Sequence, residues 1–184
     1  MYFLPEMEDA HSVELGFAQD PESAYFAVFD GHGGAKFAQL CGSRLSHYLE
    51  TDSAFMSFSP HMSSGSGDYS TALSNSFLSI DKDLQEEQEL QTELGGTTAI
   101  VVLVRDNMIY CANAGDSRAV ACVAGRVKEL SFDHKPYNQG LHFYACFSRE
   151  GEQKPPEPWR KSIVCIYLVY IYPLYFSKNL YSPH

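Results

Sequence analysis

The chain has 184 residues, of which 45% are hydrophobic and 20% are charged, and its formal net charge at pH 7 is −10. This length permits one domain with a sizeable core, and this composition excludes an intrinsically disordered chain. Residues 1–138 carry a net charge of −12 and residues 139–184 carry +2. An acidic body disfavours a general nucleic-acid surface, so we expect no nucleic-acid partner.

The cysteines and the N-terminal residues indicate the cellular compartment. The five cysteines form no Cys-x-x-Cys pair and their number is odd, which is typical of reduced thiols in the cytoplasm or the nucleus. Met1 is followed by Pro5, Glu6, Glu8 and Asp9, and no basic region leads into an apolar signal segment. We therefore expect a cytoplasmic or nuclear protein.

The N-terminal region predicts two strands. Residues 12–17 alternate polar and apolar side chains, which is typical of a strand with one solvated face. The carboxylates Glu6, Glu8 and Asp9 precede it, and such a cluster needs a cation or plenty of water to stay ionised. An exposed acidic terminus is the alternative interpretation. Residues 25–29 are apolar without alternation and predict a buried strand.

The loop after the predicted buried strand combines a carboxylate, a histidine and three glycines, in the order Asp-Gly-His-Gly-Gly at 30–34. A carboxylate at a strand end is held rigidly yet faces solvent, and glycine lets the backbone approach a ligand closely. The loop is therefore a candidate metal site, and His32 is a candidate proton donor to a leaving oxygen. The alternative is a tight turn with an exposed histidine, because Asp and Gly are ordinary turn residues.

Two helices follow, separated by a connection rich in Ser and Gly at residues 51–70, which we expect to be flexible. The first helix begins near Ala35, and its apolar stripe consists of Phe37, Cys41, Leu45, Tyr48 and Leu49. The second has an apolar stripe of Leu73, Phe77, Ile80 and Leu84. Its acids, which we interpret as a solvated face, are Asp81, Asp83, Glu86, Glu87 and Glu89.

The remaining elements are predicted strands. The Gly-Gly pair at 95–96 ends the second helix. Residues 97–104, 108–114, 118–123 and 127–130 are separated by short turns and predict an antiparallel meander. Helices with one apolar stripe each, inserted between strands, indicate helices packed on sheets in layers. The predicted fold class is α+β.

Four carboxylates are predicted at strand ends or turns: Glu8, Asp9, Asp30 and Asp116. No Cys or His pair at zinc spacing accompanies them, and oxygen donors of this kind suit Mg²⁺ or Mn²⁺. Two such ions can lower the pKa of a shared water and neutralise the charge of a phosphoryl group. The donor set therefore indicates a metal-dependent hydrolase.

Five short motifs follow one another in a characteristic order: Met-Glu-Asp-Ala-His at 7–11, Val-Phe-Asp-Gly-His-Gly-Gly at 28–34, Gly-Gly-Thr-Thr-Ala at 95–99, Ala-Asn-Ala-Gly-Asp-Ser-Arg at 112–118 and Asp-His-Lys-Pro at 133–136. This set resembles the metal-dependent protein serine/threonine phosphatases of type 2C. The resemblance implies part of a four-layer α/β/β/α sandwich with antiparallel sheets, in which residues 1–136 form the N-terminal part of the phosphatase domain.

The resemblance also implies a set of metal ligands. Asp30 corresponds to the carboxylate that bridges two Mn²⁺ or Mg²⁺ ions, and Gly31 corresponds to a ligand through its backbone carbonyl. Glu8 corresponds to a side-chain ligand, and Asp9 to a residue that orders metal-bound water. Asp116 corresponds to a carboxylate that helps to hold a third ion, which is bound more weakly.

The same resemblance assigns His32 as the general acid, and Thr98, Gly115 and Ser117 as structural residues of the site. It implies hydrolysis of phosphoserine or phosphothreonine in phosphoproteins by metal-activated water, without a phosphoenzyme. We expect the protein to be a monomer.

Two departures from the family qualify this prediction. The family has an arginine that holds the substrate phosphate four residues before the position of Glu8, and this chain has Leu4 there. The family also has later Asp-Gly and Asp-Asn pairs that bind metal, and neither pair occurs after position 136. We therefore expect a chain truncated at both ends. The alternative function is a catalytically inactive fragment that acts, if at all, as a binding or regulatory module.

Residues 137–184 carry no motif of the family, and we predict a divergent tail rather than a domain. Within it, residues 154–158 resemble a linker, and about 14 residues at 163–176 are almost wholly apolar. Because roughly 20 are needed to span a bilayer, we do not expect a membrane protein. The apolar stretch is an aggregation-prone strand, an interfacial membrane anchor or sequence never selected as protein, and we favour the last interpretation.

Overall fold

A computed structural model describes residues 7–56, 68–90 and 92–134 and the backbone of 170–173. In chain order the strands and helices are β1 (Ala10–Leu15), β2 (Ala24–Phe29), β3 (Gly31–His32), α1 (Lys36–Thr51), α2 (Ser53–Met56), α3 (Tyr69–Glu86), β4 (Gly96–Thr97), β5 (Ala99–Arg105), β6 (Met108–Ala114), β7 (Val120–Val123), β8 (Arg126–Glu129) and β9 (Tyr170–Pro173). The mixture of helices and antiparallel strands confirms the predicted α+β class.

The main sheet has five antiparallel strands in the order β1-β2-β5-β6-β9. Strands β5 and β6 form a hairpin in which Asp106 and Asn107 have φ angles of 51° and 62°, the conformation that tight two-residue hairpins favour. At the edge, β9 pairs with β6, so a short part of the predicted tail contributes a strand. The other residues of the tail lie outside the described part of the chain, and its boundary stays a prediction.

Helices α1 and α3 pack against one face of the main sheet, which we call the covered face. Because side chains alternate along a strand, Tyr25, Ala27 and Phe29 of β2 all point to this face, and all three are buried. The predicted stripe of α1 lies against them, with Phe37, Cys41, Leu45 and Leu49 buried and Tyr48 packed at the edge of the core. The helical spacing in the sequence thus predicted this layer.

Helix α3 begins after Asp68, whose carboxylate accepts a hydrogen bond from the backbone N–H of Thr71 at 3.0 Å. Its predicted apolar stripe is buried in full: Leu73, Phe77, Ile80 and Leu84. The interpretation of its acids as a solvated face is wrong for Asp81, which is only 6% exposed. Asp81 directly follows Ile80 at the border of the stripe, and both residues line a cavity of about 20 Å³ between the helices and the sheet.

The connection that we expected to be flexible is partly helical. Residues 53–56 form α2, and Phe55 is buried against Phe17, with ring centroids 5.7 Å apart, and against Tyr69, at 5.3 Å. The aromatic contacts give this short segment a fixed place in the core. Residues 57–67 of the same connection lie outside the described residues.

The opposite face of the sheet, which we call the open face, exposes apolar side chains on β1 and β2. Val13 and Leu15 are 57% and 79% exposed, and Phe26 and Val28 are 39% and 49% exposed. The register pairs Glu14 with Tyr25, so the covered face carries Ala10, Ser12 and Glu14, and the open face carries His11, Val13 and Leu15. The predicted strand is confirmed for residues 12–15, whereas Gly16 and Phe17 lie beyond its end. The side that carries Val13 and Leu15 is the more exposed one.

The expected sandwich is present in part among the described residues. Apart from the main sheet, the sheets they form have two strands each, β3–β4 and β7–β8. On one region of the open face, Leu130, which follows β8, and Ala121 of β7 pack with Ile100 and Cys111. No helix in the described ranges is both long enough and apolar enough to cross a membrane.

Candidate functional site

Three of the sequence motifs meet at one end of the main sheet. The register pairs Val28 with Ile100 and Ala99 with Ala114, so the end of β2, the start of β5 and the end of β6 are neighbours. Asp30 directly follows β2, Thr98 directly precedes β5, and the turn that contains Asp116 directly follows β6. The antiparallel order therefore brings together motifs that are far apart in the sequence.

Asp30 is held through its backbone. The N–H of Thr98 donates to the carbonyl oxygen of Asp30 at 2.9 Å, and the N–H of Asp30 donates to Thr98 Oγ1 at 3.2 Å. Thr98 Oγ1 in turn lies 2.6 Å from Ser117 Oγ. These bonds fix the backbone of Asp30, a residue exposed to solvent, as expected for a carboxylate at a strand end.

The acidic motif reaches the same end of the sheet. The register pairs Ala10 with Phe29, so Glu8 and Asp9 lie just beyond the end of β2. A Cβ atom built on Gly31 would lie 2.2 Å from the carbonyl oxygen of Glu8, a separation that no side-chain carbon can adopt. Gly31 therefore has to be glycine for this close approach, and Glu8 is half-buried there while Asp9 is exposed.

His32 lies in the short strand pair beside Asp30. It pairs with Gly96, and a Cβ atom on Gly96 would lie 3.0 Å from both Cε1 and Nε2 of the imidazole. The ring thus lies over the backbone of Gly96, and His32 as a residue is exposed. The absence of a side chain at Gly96 is what gives the imidazole this place.

Asp116 is exposed in the turn after β6, and its two neighbours in the chain both contact Thr98. Ser117 forms the hydroxyl contact, and Gly115 has a φ of 110° with its backbone so close that a Cβ atom would lie 2.7 Å from Thr98 Cγ2. Thr98, Gly115 and Ser117 are thus neighbours. Their predicted role as structural residues of one site stays a prediction.

Sequence reasoning missed further residues that hold this turn, among them Asn113 and His134. The side-chain amide of Asn113 donates to the carbonyl oxygens of Gly115 at 3.1 Å and of Phe132 at 2.9 Å. The backbone N–H of His134 donates to the Gly115 carbonyl at 2.9 Å, and the N–H of Gly115 donates to His134 Nδ1 at 3.3 Å. The sequence contained one signal for these contacts: Asn113 and His134 belong to two motifs, 112–118 and 133–136, that lie close together along the chain.

Arg118 joins the same two motifs electrostatically. Its guanidinium donates two hydrogen bonds to the carboxylate of Asp133, from Nε at 2.6 Å and from NH2 at 2.7 Å. The hydrogen bond to Asp133 raises the pKa of Arg118, the charge of Asp133 raises it further, and Glu129 and Asp116 contribute less. A positive charge therefore lies near Asp116.

The donor set and the backbone geometry fit a hard divalent cation, because the predicted ligands all supply oxygen atoms at one end of the sheet. Among the described residues, however, no three His, Cys, Asp or Glu side chains converge on one point. The structure gathers the segments that carry the predicted ligands, and the coordination itself stays a prediction. Leu4 and residues 135–169 and 174–184, on which the predicted departures from the family rest, lie outside the described residues.

Comparison with known proteins identifies related sequences. A model of the protein phosphatase 2C family matches residues 2–140. Protein phosphatase 2C homolog 3 of Schizosaccharomyces pombe is 45% identical over 144 residues, which cover 76% of this chain and 32% of that protein. A Caenorhabditis elegans protein named as a probable protein phosphatase 2C is 40% identical over 134 residues, covering 73% of this chain and 35% of that protein.

A solved structure shares this fold. The crystal structure of serine-threonine phosphatase 2C from Toxoplasma gondii matches with a TM-score of 0.64 at 16% identity, covering 75% of this chain and 49% of that one. At this identity the likeness concerns the fold alone. The chain spans about a third of the length of the two sequence relatives described above.

Proposed function

Because the chain belongs to the protein phosphatase 2C family, we propose that it carries acid–base and metal-ligand residues of a protein serine/threonine phosphatase that acts on phosphoproteins. One observation supports this most directly. Asp30, Thr98 and Ser117, from three separate family motifs, are joined by hydrogen bonds at one end of the sheet.

The family is metal-dependent, and we propose Mn²⁺ or Mg²⁺ as the ions. The Asp30 carboxylate, the Gly31 carbonyl and the Glu8 carboxylate would hold them, with Asp9 and Asp116 as further carboxylates. When bound, such ions neutralise phosphoryl charge and lower the pKa of water. The glycine at position 31 supports this assignment, because only glycine allows the backbone of Glu8 to approach so closely.

His32 is the residue that we propose as general acid. It is exposed beside Asp30, and Gly96 leaves room for its ring. A protonated imidazole there can donate its proton to the serine or threonine oxygen as the bond to phosphorus breaks. Such proton transfer contributes about 10²- to 10⁴-fold to rate.

The first experiment is Mn²⁺-dependent hydrolysis of a phosphothreonine peptide and of p-nitrophenyl phosphate by the full chain. Asp30→Asn is expected to lower the rate by about 100-fold or more, because it removes the negative charge of a proposed metal ligand. Glu86→Gln, which removes one exposed carboxylate from α3, is the matched control and is expected to keep the wild-type rate. Equal rates in Asp30→Asn and the control contradict the proposal.

The choice of substrate tests His32 separately. Threonine is a poor leaving group and needs a proton, whereas p-nitrophenolate leaves readily without one. We therefore expect His32→Ala to lose about 10²-fold or more on the peptide and far less on the aryl phosphate. Equal losses on both substrates contradict the role of general acid.

A catalytically inactive binding module is the second candidate function. The observation that favours it is the lack of three converging carboxylate, histidine or cysteine side chains among the described residues. A folded chain without Mn²⁺-dependent hydrolysis would support this alternative.

We further propose a monomer in the cytoplasm or the nucleus. Free thiols at Cys41, Cys111 and Cys122 are compatible with a reducing compartment. Light scattering coupled to size exclusion measures the mass of the particle, and a mass twice that of the chain contradicts the monomer.

A further inference from the structure

Leu94 is a large apolar residue that lies exposed beside the candidate site. It is 81% exposed, and it directly precedes the Gly-Gly pair at 95–96, whose second residue pairs with His32. A single exposed leucine is ordinary on a protein surface. What distinguishes this one is its position next to the proposed general acid.

The backbone of Leu94 lies against the loop that carries His32. One residue beyond the pairing of His32 with Gly96, a Cβ atom built on Gly33 would lie 2.9 Å from Gly95 Cα and 3.0 Å from the carbonyl oxygen of Leu94. The two backbones are therefore in van der Waals contact at Gly33. Because residue 33 is glycine, the backbone of Leu94 can lie this close to the residue that follows His32.

The segment that carries Leu94 is held in place by the first residue of α1, Lys36. The Nζ atom of Lys36 lies 3.5 Å from the Glu93 carboxylate and donates to the carbonyl oxygen of Glu89 at 3.3 Å. The N–H of Glu93 donates to the carbonyl oxygen of Leu90 at 3.1 Å. Leu94 is therefore presented by a restrained backbone, and little ordering is needed for it to bind a partner.

The proposed chemistry determines which part of a substrate passes Leu94. The general acid donates its proton to the serine or threonine oxygen, and this oxygen belongs to the polypeptide of the substrate. The substrate backbone therefore crosses the surface next to His32, with successive residues about 3.3 Å apart where it is extended. The segments around His32 have glycine at positions 31, 33, 34, 95 and 96, so Leu94 supplies an apolar side chain at this place.

We propose that Leu94 is a specificity-determining residue that contacts an apolar side chain next to the phosphorylated residue of the substrate. The expected substrates are phosphoserine or phosphothreonine proteins with a large aliphatic or aromatic residue within about two positions of the phosphorylated one. The inference rests on the proposed function, because it takes His32 as the group beside the leaving oxygen. Covering part of Leu94 removes apolar surface from water, which stabilises the bound substrate.

The test compares two phosphothreonine peptides on the full chain with Mn²⁺. The leucine peptide carries leucine at the two positions on either side of the phosphothreonine, and the serine peptide carries serine there. Leu94→Ser removes the apolar side chain, and Leu94→Met is the conservative variant that retains one. Leu78→Ser, at a position of α3 that is 49% exposed, is the matched control.

Two readouts keep the inference separate from the proposed activity. The first is the ratio of kcat/KM for the leucine peptide to kcat/KM for the serine peptide. The second is the ratio of the affinities for the same two peptides made with a non-hydrolysable phosphonate, measured by fluorescence anisotropy. Circular dichroism verifies that each variant is folded. A structural role of Leu94 alone would affect both peptides alike and leave each ratio unchanged.

We expect the wild type to prefer the leucine peptide in both readouts. Leu94→Ser is expected to reduce each ratio by about 5- to 10-fold, because a substrate covers only part of an exposed side chain. The loss is expected in KM and not in kcat, since the contact is the same in the bound substrate and in the transition state. Leu94→Met and Leu78→Ser are expected to keep the wild-type ratios.

Equal ratios in the wild type and in folded Leu94→Ser overturn the inference, and so does a wild type that prefers neither peptide. If such a wild type still hydrolyses p-nitrophenyl phosphate, the proposed activity stands while the inference fails. If the wild type hydrolyses no phosphate ester, the affinities decide. A preference for the leucine phosphonate that Leu94→Ser removes then supports the role of Leu94 while the proposed phosphatase activity fails, and a chain that binds neither phosphonate overturns the inference.

Discussion

The two faces of the main sheet have similar chemistry and different surroundings. On β2, Phe29 lies on the covered face and is 0% exposed, whereas Phe26 lies on the open face and is 39% exposed. The side chains are identical, and what differs is the presence of α1 and α3 on one side. The apolar sequence of β2 thus predicts that both of its faces would be stabilised by burial. It does not predict which of the two faces the helices cover.

The open face has a physical consequence for the isolated chain. Exposed apolar side chains on adjacent strands form a continuous patch, and such patches mark interaction sites or cause aggregation. We predict poor solubility, because Val13, Leu15, Phe26 and Val28 are exposed together on β1 and β2. Cooperative melting of a soluble, purified chain would contradict this prediction.

The largest difference between the faces is expected for alanine substitutions on β2. Phe29→Ala leaves a cavity against the helices and is expected to lower the free energy of unfolding by about 3–5 kcal/mol, whereas Phe26→Ala is expected to lower it by less than about 2 kcal/mol. Urea unfolding measures both losses of free energy, provided that the two variants unfold with the same m-value. Equal losses would show that the open face is as well packed as the covered one.

Thiol reactivity distinguishes the covered parts of the molecule from the exposed ones. Burial raises the pKa of Cys41 to about 12, with a smaller contribution from the charge of Asp81, and burial alone raises that of Cys111 to about 12. At pH 8 only about one in ten thousand of these thiols is the reactive thiolate. Reaction with a disulfide reagent at pH 8 is therefore expected to modify the exposed Cys122 first.

The experiment needs a background in which Cys146 and Cys165 are replaced by serine, so that the three described thiols are followed alone. Cys111 is the informative one, because it belongs to the open side of the sheet and is buried with Leu130. We expect it to react as slowly as Cys41 until the protein unfolds. Rapid reaction of Cys111 would show that Leu130 does not shield this thiol from the reagent.

A smaller effect is expected at the start of α3, the helix that helps to cover the sheet. Asp68→Ala removes the side-chain cap on Thr71 and is expected to lower stability by about 1 kcal/mol at pH 7. The hydrogen bonds from Thr71 lower the pKa of Asp68 below its ordinary 3.8. The ionised cap therefore contributes its full stability at pH values above 3.8, the ordinary pKa. That stability is lost as the pH falls through the lower pKa of the folded state.

Urea midpoints at pH 7 and pH 3 measure this dependence, and the difference between wild type and Asp68→Ala is expected to shrink at pH 3. Asp68→Asn is the control, because asparagine caps helices without a charge. A difference that is the same at both pH values would contradict the assignment.

The smallest effect is expected on the open face itself. Val13→Thr and Val28→Thr place a hydroxyl where the side chain meets solvent, so the free energy of unfolding should change by less than about 0.5 kcal/mol. Solubility, measured as the salt concentration at precipitation, is expected to rise. A loss above about 1 kcal/mol would show that other residues of the chain cover this face.

Several features of the fold were predictable because they depend on neighbours in the sequence. The spacing of Phe37, Cys41 and Leu45 predicted α1, and the apolar residues 25–29 predicted β2. Turn chemistry likewise predicted the β5–β6 hairpin. Such signals are local, since they come from side-chain periodicity and backbone preferences over a few residues.

Other features were not predictable from the same signals. Asp81 was interpreted as solvated and is buried, because its environment is set by the sheet beneath α3 and not by its place on the helix. Val13 and Leu15 were predicted within a strand, and only the packing of α1 decided that they face outward. A strand pattern specifies which residues share a face but not what lies on it.

The candidate site divides in the same way. The sequence by itself determined which carboxylates are available, that Asp30 follows a buried strand, and that His32 stands two residues beyond it. Only the tertiary structure decided that Thr98 bonds to both Asp30 and Ser117, and that His134 bonds to Gly115. The reason is physical: residue chemistry and short-range periodicity belong to the chain, whereas contacts between distant positions arise from the antiparallel pairing of its strands.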